Sequence, residues 1–188
     1  MGLFDSIMGR SKPARPNLDQ LFAIPSAAIT LQAALDVVPT GRGAVAFRAP
    51  EGKAFADVIA EVEQLLTVTS SPDLTVSQDS FGYTWLTISA GEVADLVNGL
   101  HAVNVSLQDA GFGPQLLCSL VGFRRGEQEF ALVYLYKRGT FYPFAPLGEP
   151  RRDNILELQL RDLLSDDMTI EADMGRWFPV WGAPGIGD

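Results

Sequence analysis

LLCSLVGFRRGEQEFALVYLYKRGTFYPF, residues 116–144, is the stretch whose reading decides the fold. Two apolar runs, 116–123 and 130–136, flank the polar turn Arg124-Arg125-Gly126-Glu127. This pattern predicts a β-hairpin, because Gly126 supplies the positive φ of a tight turn while the flanks favour extended backbone. In the second run Phe130, Leu132, Tyr134 and Tyr136 alternate with Ala131, Val133 and Leu135. Both sets are apolar, so the strand belongs in the middle of a sheet with a layer over each face.

Upstream of the hairpin, residues 74–78 and 83–88 predict a second strand pair about the turn Asp79-Ser80-Phe81-Gly82. Ser89-Ala90-Gly91-Glu92 then reads as a capping box for a helix lined by Leu96, Leu100, Val103 and Leu107. Gly111 and Gly113-Pro114 end it. The clearest helix lies earlier, where Phe55, Val58, Ile59, Val62, Leu65 and Leu66 recur at helical spacing and Asp57, Glu61 and Glu63 fall on the other side. Residues 29–37 and 44–48 read as strands joined by a turn at Pro39-Thr40-Gly41-Arg42-Gly43. Before them, Asn17 and Gln20 cap a short helix that Pro25 stops. Downstream of the hairpin, Asn154 with Glu157 caps a third helix bearing Leu156, Leu160, Leu163 and Leu164, although Leu156, Leu158 and Leu160 also alternate like a strand. The expected architecture is α+β over residues 17–188: three strand-strand-helix units, starting near Ile29, Leu74 and Gln115, form an antiparallel sheet with its helices on one face.

Composition narrows the function classes. The net charge of −9 argues against nucleic acid, whose phosphates call for a basic footprint. A single cysteine, Cys118, cannot form an internal disulfide, which fits a reduced, cytoplasmic setting. No unbroken run of about 18 apolar residues and no signal-peptide pattern is visible. His101, the only histidine, sits inside a predicted helix with no ligand set spaced around it. Cys118 lies in an apolar strand and reads as a small core residue. The acids Asp166, Asp167, Glu171 and Asp173 lack the alternation and glycine of a calcium loop and read as a solvated turn. No phosphate loop, dinucleotide fingerprint or nucleophile elbow occurs, so the expectation is a non-enzymatic chain with neither cofactor nor metal.

Three stretches read as surfaces. Residues 1–16 carry Leu3, Phe4, Ile7 and Met8 at helical spacing, followed by Arg10, Lys12 and Arg15, in a chain otherwise acidic. They predict an amphipathic basic segment that docks on a membrane or partner; its shortness also fits a helix folded onto its own domain. Phe141, Tyr142 and Phe144 stand among prolines, glycines and basic pairs, the composition of a partner hot spot or of an edge strand closed by proline. Trp177, Phe178 and Trp181 form an aromatic tail that folds back over the open sheet face or docks on another chain.

Several stretches together resemble the PspA-associated protein PspAB family: MGLFDSIMGR with PNLDQLFAIPSAAITLQ, then SQDSFGYTWLTI, DAGFGPQLLCSLVGF, LVYLYKRGTFYPFAPLG and RWFPVWGAPG. They cover most of the chain, and none is a catalytic motif. The resemblance implies a cytoplasmic accessory of the phage-shock, membrane-stress response, located at or near the inner membrane face. It implies as partner a PspA-type coiled-coil protein or a membrane stress protease, and no active site. The architecture also looks like the YbjN and type III secretion chaperone group, a two-layer sandwich that is commonly dimeric. That likeness keeps open a homodimer with chaperone-like binding of extended segments through the sheet face or the tryptophan tail. An unrecognised hydrolase or small-ligand protein is the third reading.

Overall fold

The computed structural model describes residues 16–48, 53–68 and 73–186. In chain order the elements are α1 (Ile24–Leu35), β1 (Val38–Phe47), α2 (Lys53–Val68), β2 (Asp73–Gln78), β3 (Thr84–Ser89), α3 (Val93–Leu107), β4 (Leu116–Arg125), β5 (Gln128–Leu135), β6 (Thr140–Phe144) and α4 (Asn154–Leu164). The six strands form one antiparallel sheet in the order β2-β3-β1-β4-β5-β6. The expected hairpin is β4-β5, with Arg125 opposite Gln128 and Gly126 at φ 59°.

Alternation in the strands builds two cores. Phe130, Leu132 and Tyr134 of β5 join Val45, Phe47, Leu86, Ile88, Val121, Phe123 and Phe141 under the helices. Leu96, Leu100, Val103 and Leu107 of α3 are all buried against them, as their spacing predicts. On the other face Ala131 and Val133 join Ala44, Ala46, Trp85, Cys118, Leu120, Tyr142 and Phe144, and Trp177, Ala183 and Ile186 cover them. The helices therefore lie on one face, and the C-terminal tail closes the other.

The first unit differs from expectation. Residues 29–35 are helical rather than extended, because Ile24, Ala27, Ala28 and Leu31 recur at i, i+3, i+4 and i+7 and bury one stripe. Pro25 sits in the first turn of α1 and starts it, since a missing N–H costs nothing there and φ is already set. The short helix before it is a 3-10 stretch, Leu18–Ala23, that the Asn17 side chain does not cap. The expected turn at 39–43 is a bulge inside one continuous strand, where the register against β4 shifts between Pro39 and Gly43. Gly41 has φ 76°, and a Cβ there would stand 2.8 Å from the Ala90 carbonyl. The first unit thus has one strand and the last has three.

The caps shift as well. Glu92 occupies the N-cap of α3 without a side-chain bond, and Asp153 rather than Asn154 caps α4, accepting the Leu156 N–H at 3.0 Å. The helical stretch Leu18–Leu35 has mean hydropathy 1.2 over 18 residues, enough by length and composition alone to cross a membrane. In the fold its stripe of Leu18, Leu21, Ile24, Ala27, Ala28 and Leu31 packs into the helix-side core.

Candidate partner-binding surface

The β6 edge and the tail form one unit, held by buried polar groups. Phe141 of β6 bridges to Ile170, with its N–H on the Thr169 carbonyl (2.8 Å) and its carbonyl on the Glu171 N–H (2.7 Å). Glu171, expected in a solvated turn, is buried: its carboxylate pairs with Arg138 and accepts from the Thr140 hydroxyl (2.8 Å) and the Asp173 N–H (3.1 Å). Burial would raise this carboxyl, but Arg138, the Asp173 N–H and Thr140 together hold it below its ordinary value. The Glu171 carbonyl in turn accepts the Trp177 indole N–H at 2.9 Å. Trp177 lies against Tyr142, ring centroids 6.1 Å apart, and the Tyr142 hydroxyl donates to the Phe178 carbonyl at 2.8 Å.

A second staple joins the 145–153 loop to the tail. Arg152 donates through Nε to Glu157 Oε1 (2.9 Å) and through Nη1 to the Trp177 carbonyl (2.6 Å). Its guanidinium lies over the Phe144 ring at 4.9 Å, and Phe144 meets Trp181 edge-on at 4.9 Å. Glu157 also accepts the Ala145 N–H at 2.9 Å. Burial pushes the Glu157 carboxyl up, and these two donors only partly offset it. Next to the staple, Phe144, Pro146, Gly148, Val180, Trp181 and Ile186 help line a recess of about 220 Å³.

This arrangement sorts the sequence-selected aromatics. Phe141, Tyr142, Phe144 and Trp177 are buried within the chain, Trp181 is half-buried, and Phe178 is 61% exposed. The large apolar side chains left in the open on the segments that carry the staple are Phe178, Leu147 (46%), Met174 (48%) and Ile155 (83%). Leu147 precedes Arg152 in the same loop and Phe178 follows Trp177, whereas Ile155, two residues before the buried Glu157, turns to the opposite side of α4. An apolar group beside a rigid, desolvated arginine is the composition on which protein partners dock. Sequence reasoning missed Leu147, Ile155 and the staple. A signal existed for Ile155 alone, which falls off the apolar stripe of Leu156, Leu160 and Leu164.

The remaining candidates separate in space. His101 on α3 faces Asp19 at 3.5 Å and Phe22 at 4.9 Å between ring centroids. Cys118 belongs to the tail-side core, across the sheet from α3, so the two form no dyad. Burial pushes its thiol up to about 12. Leu3, Phe4, Ile7, Met8, Arg10 and Lys12 lie outside the described residues.

The family model for PspA associated protein B matches residues 1–185 of the chain. No curated protein and no solved structure matches it; the α+β antiparallel fold is shown, whereas the expected likeness to the YbjN group is not.

Proposed function

The chain belongs to the PspA associated protein B family, and from that premise we propose that it is a non-enzymatic adaptor of the PspA-linked membrane-stress response, acting by protein–protein binding in the cytoplasm. The observation that carries this reading is the family match over nearly the whole chain. The chemistry of the fold supports it: the buried carboxylates Glu157 and Glu171 hold the tail in place, and the one thiol is buried. A PspA-type coiled-coil helix is the favoured partner, ahead of a membrane stress protease, because an apolar helix stripe fits exposed side chains of the Leu147 and Phe178 type. Residues 1–16, with Arg10, Lys12 and Arg15 against Asp5, would place the adaptor beside anionic lipid at the inner membrane face.

The test is an affinity pull-down of tagged chain from membrane-stressed cells, read by mass spectrometry beside Phe178→Asp. A PspA-like protein as the dominant partner, depleted in the variant, supports the adaptor. A broad mixture of unfolded clients favours the chaperone-like reading, and an empty pull-down contradicts both. Deleting residues 1–16 should weaken co-sedimentation with anionic vesicles; unchanged co-sedimentation removes the membrane role.

A further inference from the structure

The two edges of the sheet are treated differently. Residues 169–171 cover β6, which also carries Pro143. β2 pairs with β3 alone, and among the described residues nothing bonds its outer side. The Asp79 N–H donates to the Tyr83 carbonyl at 3.0 Å. Antiparallel alternation from that pair makes Ser77–Trp85 and Thr75–Thr87 the bonded pairs, so Leu74, Val76 and Gln78 turn their N–H and C=O groups outward. Thr75, Ser77 and Gln78 are exposed and Val76 is 48% exposed. The lysine, proline or bulge with which proteins usually block an edge is missing from residues 74–78.

We propose that this edge is a dimer seam, with β2 pairing antiparallel to β2 of a second copy about a two-fold axis through Val76. Val76 is the middle one of the three outward residues. This register sets Val76 opposite the partner's Val76 and Leu74 opposite the partner's Gln78, and it satisfies every outward group of Leu74, Val76 and Gln78, about six hydrogen bonds in all. Moving the axis by one residue, to Thr75 or Ser77, would leave about four of these bonds, moving it by two about two, and an axis between two residues would oppose outward groups to inward ones.

Charge makes this edge the place where a second copy is least repelled. A chain of net charge −9 repels its own copy over most of its surface, and like charges meet across an isologous interface. Residues 74–78, Leu-Thr-Val-Ser-Gln, carry none; at each end of the seam this register sets Asp73 opposite the partner's Asp79, the one like-charge pair in it, which added salt screens. The Asp79 carboxylate at the end of the strand is held inside its own turn by the N–H groups of Phe81 and Tyr83 and the Trp85 indole, each at 2.9 Å. Pairing would double the six-stranded sheet and keep both helix layers on one face. The two β6-and-tail surfaces would stand at opposite ends, free to engage two sites on an oligomeric partner with a gain in avidity.

Sedimentation velocity of the full chain over a micromolar to submillimolar series tests the seam. The expected result is a concentration-dependent dimer that tightens with added salt, as screening weakens the mutual repulsion. Val76→Pro removes an outward N–H at a position where an edge strand tolerates proline, so circular dichroism and melting stay unchanged while dimerisation weakens more than about tenfold. Val76→Lys, which sets two cations together on the axis, gives the same loss without touching the backbone. A monomer at all concentrations, or a dimer that survives either variant, overturns the seam. It would leave the PspA reading standing, since that reading rests on the family match and places its partner away from β2.

Discussion

Replacing Arg152 with methionine probes the staple that fixes the tail to the sheet. The Arg152 side chain is 18% exposed and its partner Glu157 is 4% exposed, so both charges are largely out of water. Removing one member of a buried pair costs about 3–5 kcal/mol, because the other charge is left uncompensated. The Ala145 N–H still serves Glu157 and methionine still fills space over Phe144, which places Arg152→Met at the lower end, about 3 kcal/mol. Adding Glu157→Gln removes the stranded charge while its side-chain oxygen still accepts from Ala145. The double variant should recover about 1–2 kcal/mol of the loss. Acid should also help the single variant: without Arg152 the Glu157 carboxyl rises further above its ordinary value. A raised carboxyl binds its proton more readily in the folded state, so the deficit shrinks as pH falls toward and through that raised value. Urea unfolding of the four proteins of the cycle, at neutral and mildly acidic pH, measures all three effects. A single-variant loss below about 1 kcal/mol, or a double variant no more stable than the single, would refute the reasoning.

Three further outcomes follow from the same geometry. Trp177→Ala should cost about 3–5 kcal/mol and raise binding of an apolar dye, because the ring closes the tail-side core over Tyr142; calorimetry and dye fluorescence check it. Cys118, its thiol pushed up to about 12, should react with a thiol reagent only after denaturation, and stoichiometric labelling of folded protein would contradict its burial. Glu171 has a carboxyl held below its ordinary 4.5, so its contribution is fully present above that value and is lost as pH falls through the lower folded one. The melting temperature of the native chain should therefore drop more steeply with acid than that of Glu171→Gln, and parallel curves would contradict the Arg138 pairing.

How far the sequence could be read follows from where each residue's competing preferences lay. The β4-β5 hairpin was legible because both faces of β5 are apolar and Gly126 marks the turn, two independent signals that agree. Residues 29–35 were not, because Ile29, Leu31, Ala33 and Leu35 alternate like a strand while Ile24, Ala27, Ala28 and Leu31 repeat like a helix. Burial favoured the helical stripe and leaves Ile29 71% exposed. Gly41 and Gly43 suggest a turn as readily as a bulge, and only the neighbouring strands decide which. Folding of the tail over the sheet could be anticipated from Trp177 and Trp181, since two bare tryptophans make a large apolar patch. The staple could not, because Arg152, Glu157 and the Trp177 carbonyl meet only once α4 and the tail are placed. Leu147 and Phe178 are set apart by exposure alone, which local pattern does not encode, whereas Ile155 also falls off the buried stripe of α4.

The central claim is that this chain works by binding a PspA-type protein. Calorimetric titration of the purified full chain into a purified PspA-type coiled-coil protein from the same organism tests it most directly, with Phe178→Asp titrated alongside. The account predicts saturable heat with a defined stoichiometry, and affinity at least about tenfold weaker for the variant, as expected when a hot-spot aromatic is lost. No heat from the native chain, or equal affinity in both, would contradict it.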